Sequence, residues 1–239
     1  MLGEKAGDLL KTWCESKGVT VHTGTTVESI ESTQNELNVV LKSGASCPAD
    51  VVIVSTGVKP NVGFLQDLDI KINLGIEVDE FMQTSVIDIY AAGDCAQGLD
   101  FSTGETAVHA VQPTATEHGR VAATNMATGN SLSYKGSLNM NILDTLGLVM
   151  SSFGVWEGVD GGDSAEIYNP DNYQYINLQF KDDVLVGANT VGYHEHLGVL
   201  RGLIESSVPL GEWKERLKEN PVGLMEAYIG VTQKAVDSS

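Results

Sequence analysis

Residues 84–94 read TSVIDIYAAGD, and this stretch decides the predicted fold. It contains a short apolar run of the kind that predicts a buried strand in a parallel sheet. The apolar members of the run are Ile87, Ile89, Ala91 and Ala92. Asp94 follows Gly93 at the carboxyl end of the run, where ligands bind in open α/β sheets. A carboxylate at that end can accept hydrogen bonds from the hydroxyl groups of a sugar or polyol.

A helix is predicted downstream, over the sequence PTATEHGRVAATNMATG that begins at Pro113. Proline suits the first helical position, and the free N–H groups of that end favour negative charge. Residues 95–112, which precede this helix, are predicted to form a polar loop. A strand-end carboxylate and a helix N-terminus joined by a loop suit a ligand with a polyol and an electron-rich ring edge.

Two segments carry a family resemblance. TSVIDIYAAGDCA (residues 84–96) resembles the second flavin-contacting motif of the FAD-dependent pyridine nucleotide oxidoreductases with two dinucleotide-binding domains. VVIVSTGVKPN (residues 51–61) resembles the crossover from the NAD domain of that family back to its FAD domain. The group includes NADH oxidases, ferredoxin and rubredoxin reductases, nitrite reductase large subunits and disulfide reductases.

The resemblance implies roles for individual residues. Asp94 is expected to hold the ribityl chain of FAD, with Gly93 permitting close approach. The backbone donors at the isoalloxazine edge are expected from Val111, Gln112, Pro113 and Thr114. His109 is a candidate proton donor beside the same edge, whereas His118 is interpreted as a packing or surface residue. No metal site is predicted.

The predicted class is α/β, with a partial Rossmann-like region followed by an α+β domain. Residues 1–57 are expected to be the second half of an NAD(P)-binding domain, with a helix over 4–17. Strands are predicted there at Val19–Val21, Leu37–Leu41 and Val51–Val54. Residues 58–130 are expected to be the C-terminal part of an FAD-binding domain.

Residues 131–239 are expected to form an α+β interface domain that makes homodimers. Tyr173–Phe180 and Val184–Ala188 are predicted to pair as a hairpin across Lys181–Asp183. Helices are predicted over 197–206 and 210–217, and a short one over 224–228.

No GxGxxG phosphate-binding turn occurs in the sequence. We therefore expect the chain to be the C-terminal half to two-thirds of a longer flavoenzyme, inactive by itself. By resemblance, that flavoenzyme passes electrons from NAD(P)H through FAD to an acceptor, which is an electron-carrier protein or a small molecule. Two alternatives stay open: a non-catalytic dimerisation or docking module without flavin, and a binding protein for another polyol or nucleotide.

Composition limits the function classes. The formal net charge of −18 argues against nucleic acid, because that binding depends on neutralising phosphates with Lys and Arg. Such acidity reflects solubility or serves to dock a basic electron carrier. No apolar run reaches the roughly 20 residues of a membrane span. Three scattered cysteines, with no CxxC pair, predict a reducing cytoplasm and argue against disulfides or structural zinc.

Overall fold

The computed structural model describes residues 2–32 and 36–237 of the chain. It divides into two compact units: Cys14–Val58 form one, and the other described residues form the second. Helices and strands are both well represented, which confirms the predicted α/β class. Helix α1 (Glu4–Ser16) is the predicted first helix.

The smaller unit contains three antiparallel strands, β1 (Val27–Ser32), β2 (Leu37–Leu41) and β3 (Ser46–Ala49). Two strand predictions are wrong, because neither Val19–Val21 nor Val51–Val54 is a strand. Val51 is 73% exposed and Ile53 is 86% exposed. An extended apolar segment becomes a strand only when a neighbour satisfies its backbone groups, and no described strand pairs with either segment.

In the larger unit, the first sheet is small and mixed. Its strands are β4 (Ile76–Glu77), β5 (Ala96–Leu99) and β6 (Thr106–Ala107), in the order β4-β5-β6, with β4 and β5 parallel. The prediction of a polar loop over 95–112 is therefore wrong. Helix α2 (Gln112–Thr128) follows and confirms the predicted helix.

The predicted strand over Ile87–Ala92 is also wrong. Within it, only Tyr90 makes a strand-like bridge, to Gln83, and Ile87 is 78% exposed. The chain turns instead, because Asp88 adopts a left-handed φ of 65° and the Thr84 hydroxyl accepts a hydrogen bond from the Val86 N–H at 3.2 Å. A local turn has thus replaced the pairing that the apolar pattern predicts.

The C-terminal part is a five-stranded antiparallel sheet in the order β7-β8-β11-β10-β9. Its strands are β7 (Met140–Thr145), β8 (Leu148–Gly154), β9 (Asp163–Asn169), β10 (Gln174–Lys181) and β11 (Val184–Val191). The predicted hairpin is confirmed as β10 and β11. Strand β9 was not predicted, because most of its positions carry polar residues and only Ala165 is buried.

Three helices close the chain: α3 (Leu197–Ser206), α4 (Glu212–Glu219) and α5 (Leu224–Asp237). Their predicted positions are confirmed, and α5 is longer than expected. Alternation along β10 sends Leu178 and Phe180 into a core shared with α3, whereas Tyr175 faces Ala6 and Leu9 of α1. No helix in the described ranges is both long and apolar enough to span a membrane.

Candidate functional site

Gly93 and Asp94 lie in a short 3-10 helix, Gly93–Cys95, that packs on the first turn of α2. Gly93 adopts a φ of 77°, in the left-handed region that favours glycine. A Cβ built on Gly93 would meet the Cβ of Ala115 at 3.4 Å. The positive φ therefore favours glycine at this turn, whereas a Cβ there would make only an ordinary van der Waals contact with α2.

Asp94 is exposed at this turn. No hydrogen bond or ion pair of its carboxylate occurs with the described residues. An ionised carboxylate accepts hydrogen bonds through both oxygens. Asp94 is therefore free to accept from the hydroxyl groups of a ligand.

The first turn of α2 supplies fewer donors than the sequence predicts. Pro113 has no N–H, and the N–H of Val111 donates to the carbonyl of His109 at 2.9 Å. Val111 is extended and provides no side-chain cap, so the N–H groups of Gln112 and Thr114 keep no acceptor within the described chain. These two groups are the ones that can face an electron-rich ligand edge.

His118 lies one turn further along α2 and is buried, with 2% of its surface exposed. Its Nδ1 accepts from the N–H of Gly93 at 3.4 Å, and its Nε2 is 3.1 Å from the hydroxyl of Ser137. The hydroxyl of Tyr134 contacts the same Ser137 oxygen at 3.1 Å. Because Nδ1 is an acceptor, Nε2 carries the proton of the neutral ring, and His118 links α2 to the Gly93 turn.

The pKa of His118 is lowered from 6.5, mainly by burial and then by its electrostatic interaction with His109, against the opposing charge of Glu117. The unfolded chain then binds more protons than the folded chain just below pH 6.5. The free energy of unfolding should therefore fall as the pH falls from 6.5 towards the lowered pKa.

Between pH 7.5 and pH 5.0, the free energy of unfolding measured in urea should fall less in His118→Asn than in the unmodified chain. The reason is that the variant lacks the titrating ring. His194→Asn is the control, since His194 is exposed and distant in sequence. Equal pH dependence in His118→Asn and the unmodified chain would contradict this prediction.

Asn125, in the last turn of α2, holds the other end of this helix and was not predicted. It is fully buried, and its amide nitrogen donates to the carbonyls of Phe81 and Leu132 at 2.9 Å and 2.8 Å. Its Oδ1 accepts from the Leu132 N–H at 2.8 Å. Its partners lie 44 and 7 residues away, so no local pattern indicates this role.

An open pocket of 460 Å³ lies beside the start of α2. Its lining residues are Val108, His109, Ala110, Val111, Asn139, Met140, Asn141, Ser152, Trp156 and Glu157. His109 thus lines a cavity, and its role as a proton donor stays a prediction. The structure also adds Trp156, which sequence reasoning did not select.

The described residues fit the isoalloxazine and ribityl part of FAD. An exposed carboxylate at Asp94 suits the ribityl hydroxyls, and two unpaired helix N–H groups suit the ring edge. Among these residues, no group of three or more His, Cys, Asp and Glu could hold a metal ion.

Comparisons with known proteins give a matching family and several similar proteins. Residues 1–114 match the family described as "Pyridine nucleotide-disulphide oxidoreductase". The epsilon subunit of the NADH-dependent phenylglyoxylate dehydrogenase of Aromatoleum evansii is 29% identical over 95% of this chain and 54% of that subunit. The assimilatory nitrate reductase electron transfer subunit of Bacillus subtilis is 31% identical over 80% of this chain and 24% of that subunit.

Among solved structures, the NAD-dependent persulfide reductase from A. fulgidus is similar, with a TM-score of 0.78 and 30% identity. The match covers 89% of this chain and 43% of that protein. The chain therefore spans about half or less of the length of these three relatives.

Proposed function

Because the chain belongs to the pyridine nucleotide-disulphide oxidoreductase family, whose members are FAD-dependent and use NAD(P)H, we propose that it holds the flavin end of FAD. In this role it takes part in electron transfer from NAD(P)H through FAD to an acceptor.

One observation carries the proposal: Gly93 brings the exposed carboxylate of Asp94 next to the first turn of α2. The carboxylate accepts hydrogen bonds from ribityl hydroxyls, while the N–H groups of Gln112 and Thr114 face the pyrimidine edge. His118 keeps the two parts of the site together through the backbone of Gly93.

Bound FAD supplies the redox chemistry, and the protein supplies position and charge. The N–H groups at the start of α2 stabilise negative charge on the nearby ring edge, because the helix end carries partial positive charge. The carboxylate of Asp94 orients the polyol and so fixes where the ring lies. These roles are binding and orientation; proton transfer would fall to His109.

The domain assignment belongs to the same proposal: residues 1–57 to an NAD(P)-binding domain, 58–130 to an FAD-binding domain and 131–239 to an interface domain. A homodimer is supported by the edge strand β7, where Ile142 is 45% exposed and Leu143 is 41% exposed. The acceptor is an electron-carrier protein or a small molecule. Three free cysteines support a reducing, cytoplasmic location.

A second candidate function is a non-catalytic dimerisation or docking module that lacks flavin. The absence of GxGxxG from the sequence favours it, because no such turn approaches a pyrophosphate. The same absence predicts that the isolated chain has no NAD(P)H oxidoreductase turnover.

The deciding experiment is a visible absorption spectrum of the purified chain with and without added FAD, together with its intact mass. Flavin bands at near-stoichiometric occupancy, with the mass of the unmodified polypeptide, are the expected result. A colourless chain that takes up no FAD contradicts flavin binding and supports the docking module.

A further inference from the structure

Asp100 and His109 form a buried pair beside the start of α2. Their side chains are 7% and 10% exposed, and Oδ2 of Asp100 is 3.2 Å from Nε2 of His109. The contact is not aligned as a hydrogen bond, and no other described residue bonds to this Nε2. Asp100 and Nε2 of His109 are therefore paired by their short distance and not by an aligned hydrogen bond.

Asp100 is held in the ionised form. Burial raises the pKa of Asp100, but His109 and the backbone N–H groups of Ser102 and Thr103 outweigh burial and lower it below 3.8. The two N–H groups lie 2.7 Å and 3.3 Å from its Oδ1. A carboxylate 3.2 Å from Nε2 repels a lone pair on that nitrogen, so the neutral ring carries its proton on Nε2 and not on Nδ1.

The tautomer leaves Nδ1 of His109 as a hydrogen-bond acceptor. His109 lines the 460 Å³ pocket, and its backbone carbonyl is tied to the N–H of Val111 at 2.9 Å. The neutral ring therefore has a lone pair on Nδ1, and the backbone hydrogen bond to Val111 holds His109 in position. A group that donates a proton is the chemical complement of this nitrogen.

The other residues that line the pocket indicate what kind of molecule could carry the group that donates to Nδ1 of His109. Trp156, Met140 and Val108 supply aromatic and apolar surface, against which a flat ring packs well. Glu157 lies in the same lining, and the chain carries a formal charge of −18, so an anion is disfavoured.

We propose that this pocket binds a neutral aromatic hydroxyl compound, whose O–H donates to Nδ1 of His109 while its ring packs on Trp156. The binding itself does not require flavin. A hydroxyl held in this way points its proton at a base, the arrangement used in general acid–base catalysis. That the ligand is a reaction partner of the flavin rests on the proposed function.

The test is an NMR titration of the full chain without FAD, with phenol as the probe and anisole as its matched partner. Anisole keeps the ring and oxygen but lacks the donor. Phenol should shift the His109 ring and Trp156 indole signals saturably, and bind about five times more tightly than anisole. His109→Phe should bring the two affinities together, and so should Asp100→Asn, because an amide favours the opposite tautomer.

His194→Asn is the control and should keep the preference for phenol. The proposal would be overturned if no phenol binding were detected, or if His109→Phe and Asp100→Asn both kept the preference for phenol over anisole. It would also be overturned if benzoate bound more tightly than phenol. Displacement of phenol by FAD would overturn it too, because the pocket would then belong to the flavin.

FAD uptake by absorption is measured separately on the same samples. A chain that binds phenol through His109 but takes up no FAD disproves only the proposed function. A chain that takes up FAD but binds phenol and anisole equally disproves only this inference.

Discussion

Replacing Asp94 with alanine is expected to weaken FAD binding by the chain about 100-fold. A hydrogen bond to a charged group contributes about 1.5–3 kcal/mol, and each 1.4 kcal/mol is about tenfold in affinity. Loss of the carboxylate removes the acceptor for the ribityl hydroxyls. Asp94→Asn should lose less, because the amide oxygen still accepts. Titration of flavin fluorescence measures both variants.

Asp67→Ala is the matched control for Asp94→Ala. Asp67 is also an exposed aspartate, and its replacement by alanine removes the same negative charge. It should bind FAD as the unmodified chain does. Both variants should keep the same far-UV circular dichroism and thermal midpoint, since the Asp94 side chain is exposed and makes no hydrogen bond or ion pair with the described residues. FAD affinities that are equal in Asp94→Ala and Asp67→Ala would show that the carboxylate has no part in binding.

Replacing Asn125 with alanine is expected to lower the free energy of unfolding by about 3 kcal/mol. The variant strands the partly buried carbonyls of Phe81 and Leu132 and the N–H of Leu132, which Asn125 satisfies. An unsatisfied buried polar group costs about 1–3 kcal/mol, and partial rehydration reduces the total. Urea unfolding monitored by circular dichroism measures the change.

Met126→Ala is the control for Asn125→Ala, because Met126 neighbours it on α2 but is 66% exposed. It should change the free energy of unfolding by less than about 0.5 kcal/mol. A loss below about 1 kcal/mol in Asn125→Ala would mean that water replaces its hydrogen bonds.

The elements that sequence pattern predicted well are those whose stability is local or whose partner is adjacent. Helix α3 was predicted over 197–206, and the β10–β11 hairpin closes through a short turn next to its strands. The segments Val51–Val54 and Ile87–Ala92 were predicted wrongly. Their apolar pattern suits a buried strand, but strand formation depends on distant neighbours that a local pattern does not report.

The sequence alone indicated the family resemblance, the α/β class, the candidate carboxylate Asp94 and the start of α2. Those features rest on the segments at residues 84–96 and 51–61 and on a proline at a helix start, all of which are local in sequence. Only the tertiary structure decided which backbone groups stay unpaired at Gln112 and Thr114, and that His118 accepts from Gly93. It alone paired Asp100 with His109, because hydrogen bonds and burial join residues that folding, not sequence proximity, brings together.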